Sequence, residues 1–132
     1  MAEDLTKLLK GQLSDPRWRL SNLYWITSKE GKRTLFQPNW AQESLLNDLH
    51  FCNVILKARQ LGFSTFIQLF MLDQVVFNSN MRCGTIAHRL DDARTLFRDK
   101  IQFPFDNLPE ALRNARPKLS DSAEELVLSN KY

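Results

Sequence analysis

The sequence predicts an α/β fold: a parallel sheet flanked by helices, preceded by a small N-terminal β-hairpin. Three observations carry that prediction. Residues 52–58 form a short apolar run centred on Val54, Ile55 and Leu56, with the length and composition of a buried strand. Residues 64–78 read as a helix that is apolar around most of its circumference, the pattern of a helix covered on several sides. Residues 82–88 read as a second strand, and a helix follows. Strand, helix, strand, helix is the order of parallel strands joined by crossover helices.

The remaining elements follow from local chemistry. Residues 5–13 form a short helix that ends near Ser14, Asp15 and Pro16, and residues 18–24 are aromatic and irregular. The β-prone runs 24–28 and 33–36 are separated by Lys29, Glu30, Gly31 and Lys32, with Gly31 available for a positive φ, which reads as a hairpin. Pro38 breaks the chain. Asn39 can cap a helix from Trp40 to about His50, with Ala41, Leu45 and Leu49 on one face. Asn78, Ser79 and Asn80 form a turn. Asp91 can cap a helix carrying Ala93, Leu96, Phe97 and Ile101 on one side. Pro104, Pro109 and Pro117 make the next stretch loop-rich, with a helical piece over 110–116 and a last strand over 125–129.

Composition bounds the function classes. A chain of 132 residues, 43% hydrophobic and 25% charged, fits one folded domain and excludes disorder throughout. The formal charge of +3 and pI near 9.0 tilt slightly towards anionic partners, a weak tilt expected to be spread over the whole chain. Cys52 and Cys83 lie in apolar stretches and do not form a disulfide framework. With His50 and His88 they match no zinc spacing, so they read as buried thiols and incidental histidines. No signal peptide is visible. The longest apolar run, 63–77, contains Gln68, Asp73 and Gln74 and is too short and polar to span a bilayer. The expectation is a soluble cytoplasmic protein with no membrane partner.

The chemistry lies in residues 57–65. A phosphate-binding loop turns sharply from a strand into a helix, aims backbone N–H groups and the helix dipole at the phosphates, and adds a cation and a hydroxyl for Mg2+. Against the spacing G-x-x-x-x-G-K-[ST], Gly62 and Ser64 fit, Lys57 replaces the first glycine, and Phe63 occupies the usual lysine position. The cation has moved from the end of the loop to its beginning. The same residues also allow a plainer reading, with Ser64 as a helix cap and Lys57 and Arg59 as solvated charges.

The stretch Lys57-Ala58-Arg59-Gln60-Leu61-Gly62-Phe63-Ser64-Thr65 resembles the deviant Walker A loop of phage terminase large subunits. Three flanking stretches resemble that family in the same order. They are Tyr24-Trp25-Ile26 leading into Pro38-Asn39-Trp40-Ala41-Gln42, then Gly84-Thr85-Ile86-Ala87-His88 with Asp91-Asp92-Ala93, and finally Ser122-Ala123-Glu124-Glu125-Leu126 with Ser129-Asn130. The resemblance covers roughly residues 23–130. It implies a partial P-loop NTPase-type sheet that binds ATP and Mg2+. Lys57 would contact the β- and γ-phosphates, Arg59 would be a second cation beside Gln60, Gly62 would admit close backbone approach, Ser64 would ligate Mg2+, and Thr65 would support the loop. Gln42 matches the glutamine that reads adenine in related motors, although Asn39-x-x-Gln42 is equally a capping box. His88 and Asp91 match the start of a coupling segment, or else mark a strand end and an N-cap.

The resemblance further implies double-stranded DNA, a small terminase subunit and the portal as partners, in the host bacterial cytoplasm, with an oligomeric assembly open. No apolar strand ending in acids follows Ser64, and the family's nuclease domain has no counterpart here. The expectation is therefore a leader over 1–22 and an incomplete ATPase domain over 23–132, a fragment or truncated prophage product, that does not hydrolyse ATP alone. The rival expectations are a fragment of another P-loop motor, such as a helicase, and a non-enzymatic prophage remnant.

Overall fold

In the computed structural model, residues 2–57 and 61–129 are described. The chain is mixed α and β, with helices predominating. It begins with α1 (Ala2–Leu13) and α2 (Pro16–Asn22). The Asp15 carboxylate accepts the Arg17 N–H at 3.0 Å, and Pro16 takes the first helical position, where its fixed φ suits a helix. Helix therefore reaches into the stretch expected to be irregular. Next, β1 (Trp25–Thr27) and β2 (Arg33–Leu35) pair antiparallel, Ile26 opposite Thr34. Gly31 turns the hairpin at φ +77°, as expected.

Helix α3 (Trp40–Asn47) leads by way of residues 48–57 to α4 (Phe63–Phe77). Then come α5 (Leu90–Phe97), a π-helical stretch (Arg98–Gln102), α6 (Phe103–Asp106) and α7 (Glu110–Ala115). The last pair, β3 (Lys118–Asp121) and β4 (Leu126–Leu128), is antiparallel with an irregularity between Lys118 and Ser120.

Helix α4 is the centre of the molecule. Its Phe66, Leu69, Leu72 and Val76 belong to one core with Leu20, Leu23, Tyr24, Phe36, Phe105, Leu108 and Leu128. Apolar burial of this kind supplies about 25 cal/mol for each Å² removed from water. The buried Arg116 guanidinium covers the far end of α4, donating to the Val75 carbonyl at 3.1 Å and the Asn78 carbonyl at 3.4 Å. A cation there meets the negative end of the helix dipole.

One acid is buried on α4. Asp73 is fully enclosed, and the Arg19 guanidinium grips it from α2 with Nε at 2.9 Å from Oδ1 and Nη2 at 2.8 Å from Oδ2. The Tyr24 hydroxyl donates to Oδ1 at 2.7 Å, Arg19 Nη1 donates to the Leu13 carbonyl at 2.8 Å, and the guanidinium lies over the Phe77 ring at 4.3 Å. Burial and then the Asp73 charge push the Tyr24 phenol well above its ordinary range. Burial pulls the Arg19 guanidinium down, but the hydrogen bonds and charge of Asp73 outweigh it and hold Arg19 above its usual value.

The expected parallel sheet is not formed among the described residues, which contain two antiparallel hairpins. Within 52–58, residues 52–57 are described and none is in a strand; residues 82–88 join no sheet either. Both segments have the composition of strands covered on two faces, and such a strand forms only where neighbours complete its ladder. Without that ladder Val54, Leu56 and Ile86 are almost fully exposed, at 94%, 101% and 99%. Cys52 and Cys83 are likewise exposed, not the buried thiols expected. Helix α5 is capped at Arg89, with no side-chain cap bond, so Asp91 falls inside its first turn. The expected strand over 125–129 is present as β4, but it pairs antiparallel with its own neighbour. No helix among the described residues is long and apolar enough to cross a membrane.

Candidate functional site

The candidate site is the entry to α4. Gly62 is its N-cap and sits at φ +75°, ψ 16°, a left-handed conformation that L side chains resist. A second constraint acts at the same position. A Cβ on Gly62 would stand 2.7 Å from Gln42 Nε2.

That proximity comes from the start of α3. Asn39 and Gln42 form the capping box: Asn39 Oδ1 accepts the Gln42 N–H at 3.0 Å, and Gln42 Oε1 accepts the Asn39 N–H at 2.8 Å. The other half of each carboxamide reaches the loop. Asn39 Nδ2 donates to the Leu61 carbonyl at 3.0 Å, and Gln42 Nε2 donates to the Gly62 carbonyl at 2.7 Å. The buried Gln42 is thus committed at both ends to backbone, and the start of one helix anchors the start of the other.

Helix α4 begins with no side-chain cap. Ser64 therefore does not cap it; it occupies the second helical position and is exposed, while Thr65 beside it is half-buried. First-turn N–H groups without a side-chain acceptor, backed by a partial positive charge of about half an electron, form the type of helix end that receives oxyanions. Lys57 is exposed and has no ion pair among the described residues. Arg59 and Gln60 lie outside the described residues. The structure brings Gln42 to Gly62 and puts Ser64 and Thr65 on the first turn.

The chain matches no family model, no curated protein and no solved structure. Between residues 49 and 90 the chain has four cations, Lys57, Arg59, Arg82 and Arg89, and one acid, Asp73. This stretch alone carries a net +3, the formal charge of the whole chain, so the surplus is concentrated here and not spread over the chain. Asp73 is buried against Arg19 and offers no anion to the surface. The segment after α4 runs back beside it: Thr85 exchanges hydrogen bonds with Gln68 at 2.9 and 3.1 Å, and Cys83 Sγ donates to the Met71 carbonyl at 3.8 Å. His88 Nε2 lies 3.2 Å from Asp92 on α5. Among the described residues no three His, Cys, Asp or Glu side chains converge as a metal cluster.

Sequence reasoning missed two participants. Asn39 was read only as a cap, yet it tethers Leu61. Asp73 counts in the sequence only against a membrane span, yet it anchors α4 from behind. A capping box upstream of a glycine-started helix was the available signal for the first. The second was a lone acid in an otherwise apolar helix.

Proposed function

We propose that this chain is the ATP-binding part of a phage DNA-packaging terminase large subunit, with the triphosphate at the N-terminus of α4 and Mg2+ on the Ser64 hydroxyl. In the complete protein ATP hydrolysis would drive translocation of double-stranded DNA in the bacterial cytoplasm, with a small terminase subunit and the portal as partners. The observation that carries the reading is the start of α4: a left-handed glycine, no side-chain cap, and an exposed hydroxyl on the first turn. The cationic stretch from Lys57 to Arg89 supports it, because a triphosphate and a DNA backbone are both polyanions.

In this reading Lys57 contacts the β- and γ-phosphates, Arg59 and Gln60 complete the loop, and Thr65 supports it. Gln42 holds Gly62 in place, and a contact with adenine would require its carboxamide, now bonded to the Asn39 N–H and the Gly62 carbonyl, to become accessible. Residues 52–58 and 82–88 are then strands of a P-loop-type parallel sheet whose other strands are supplied from elsewhere. The return of residues 83–85 beside α4 is the path such a crossover takes.

Calorimetric titration with Mg-ATP tests the proposal. Lys57→Ala removes a charge-assisted contact of ~1.5–3 kcal/mol and weakens binding roughly 10- to 150-fold. Ser64→Ala loses the Mg2+-dependent part, whereas Ser64→Thr keeps it. Unchanged affinity in Lys57→Ala refutes the assignment. The unpaired state of residues 52–57 and 82–88 favours a second reading, a non-enzymatic remnant. In that case the parent chain itself shows no ATP binding at millimolar nucleotide.

A further inference from the structure

A separate hollow of about 390 Å³ opens on another part of the surface, where the end of α2, the first hairpin, the turn after α6 and α7 meet. Leu23 and Leu108, both buried core residues, line it. Two guanidiniums also line it: Arg33 from β2 and Arg113 from α7. Neither has a carboxylate partner among the described residues. Both are oriented by other contacts. The Arg33 guanidinium lies over the Trp25 ring at 4.2 Å, and Arg113 Nε donates to the Leu108 carbonyl at 3.1 Å. The carboxylate on the rim, Asp106, is held by Lys118 Nζ at 2.6 Å, an ammonium it shares with Asp121. The rim carboxamides are held as well, since Asn22 and Asn107 donate to the Trp18 and Phe103 carbonyls at 2.8 Å each.

We infer that this hollow is a phosphate-binding site whose donors are the guanidiniums of Arg33 and Arg113, which line it from two different elements. A planar guanidinium matches the oxygen spacing of phosphate and offers two parallel N–H bonds, which an ammonium cannot do. Fixing each group by stacking or by a carbonyl contact lowers the conformational entropy lost on binding. The phosphate belongs either to a free phosphate ion or to the backbone of single-stranded nucleic acid. The site is distinct from the entry to α4 and does not depend on the ATP assignment.

The test uses the intact chain carrying Lys57→Ala, so that binding at the α4 loop is weakened, and the Arg33 and Arg113 variants are compared in that background. The probes are inorganic phosphate, followed by calorimetry, and a labelled oligothymidylate, followed by fluorescence anisotropy, both at low ionic strength. Expected is binding of at least one probe, weakened about tenfold by Arg33→Gln and by Arg113→Gln separately. Lys10→Gln, an equal loss of charge on α1, leaves it unchanged. Arg33→Lys and Arg113→Lys keep charge and fold but stay weak. Binding of phosphate alone or of the oligonucleotide alone identifies the source. No binding of either probe overturns the inference. Full recovery in the lysine variants also overturns it, because attraction would then follow from charge and not from a built site.

Discussion

Asp73→Ala is the sharpest test of how this molecule holds together. The substitution leaves the Arg19 guanidinium, 6% exposed, with only the Leu13 carbonyl and the Phe77 ring. It also leaves the fully buried Tyr24 hydroxyl without its acceptor. Breaking one side of a buried ion pair costs about 3–5 kcal/mol, because the remaining charge stays desolvated. Whole domains are stable by only about 5–15 kcal/mol, so the variant is close to unfolding at ambient temperature. Tyr24→Phe removes one hydrogen bond to a carboxylate and costs less, ~1.5–3 kcal/mol. Replacing both charges, Arg19→Met with Asp73→Leu, removes the stranded charge and recovers that part of the loss, while the Tyr24 hydroxyl still lacks its acceptor. Urea titrations followed by tryptophan fluorescence give all of these values, provided each transition is two-state. A cost under about 1 kcal/mol for Asp73→Ala would mean that water reaches Arg19 in the folded protein and that the pair is not desolvated.

Three further outcomes are expected. Gly62→Ala should destabilise by ~1–2 kcal/mol from the left-handed backbone alone, and its methyl group should displace Gln42 Nε2 from the Gly62 carbonyl; denaturant titration reads the cost, and a neutral result refutes the loop geometry. The Tyr24 phenol is raised above 10.0 by burial first and then by Asp73, so its stabilisation is full below that pH and is lost as pH climbs through the folded value. Phenolate absorbance should show this tyrosine ionising only together with unfolding. The Asp121 carboxyl is lowered below 3.8 by its hydrogen bond from Lys118, against a smaller opposing effect of burial, and further by Gln102. Its contribution is present above 3.8 and is lost as pH falls through the lowered value, so Asp121→Asn should flatten the acid limb of the thermal melting curve.

Local signals in the sequence were the most legible. Gly31 marked the hairpin, Asn39-x-x-Gln42 marked the start of α3, and the apolar run with two glutamines and one aspartate marked α4 within one residue at each end. Each of these depends on contacts within a few positions of the chain. The parallel sheet was not legible in the same sense. Residues 52–58 and 82–88 have the right composition, but a strand is a property of a pair, and composition does not supply the partner. The opposite error occurred at residues 118–128, where β4 was expected but β3 was not: Lys118, Ser120 and Asp121 look like loop until Leu126, Val127 and Leu128 fold back on them. At the candidate site the glycine and the hydroxyl were readable from spacing. The bonds from Asn39 to Leu61 and from Gln42 to Gly62 bridge about twenty residues and become visible only in three dimensions.

The lone carboxylate of α4 also settles the helix's azimuth. A cylinder greasy on nearly every side, with Ile67, Phe70, Met71 and Val75 half-buried beside its fully buried residues, could turn about its long axis and still bury hydrocarbon in each orientation. Hydrophobic burial is non-directional and does little to choose among those rotations. A keyed pair is directional: only one angle delivers Asp73 to Arg19 and Tyr24. Ser64 lies nine positions earlier on the same rod, two and a half turns at about 3.6 residues per turn, and therefore on the opposite side. Locking the carboxylate inward turns the hydroxyl outward, so a contact at the back of the helix aims the residue at its front.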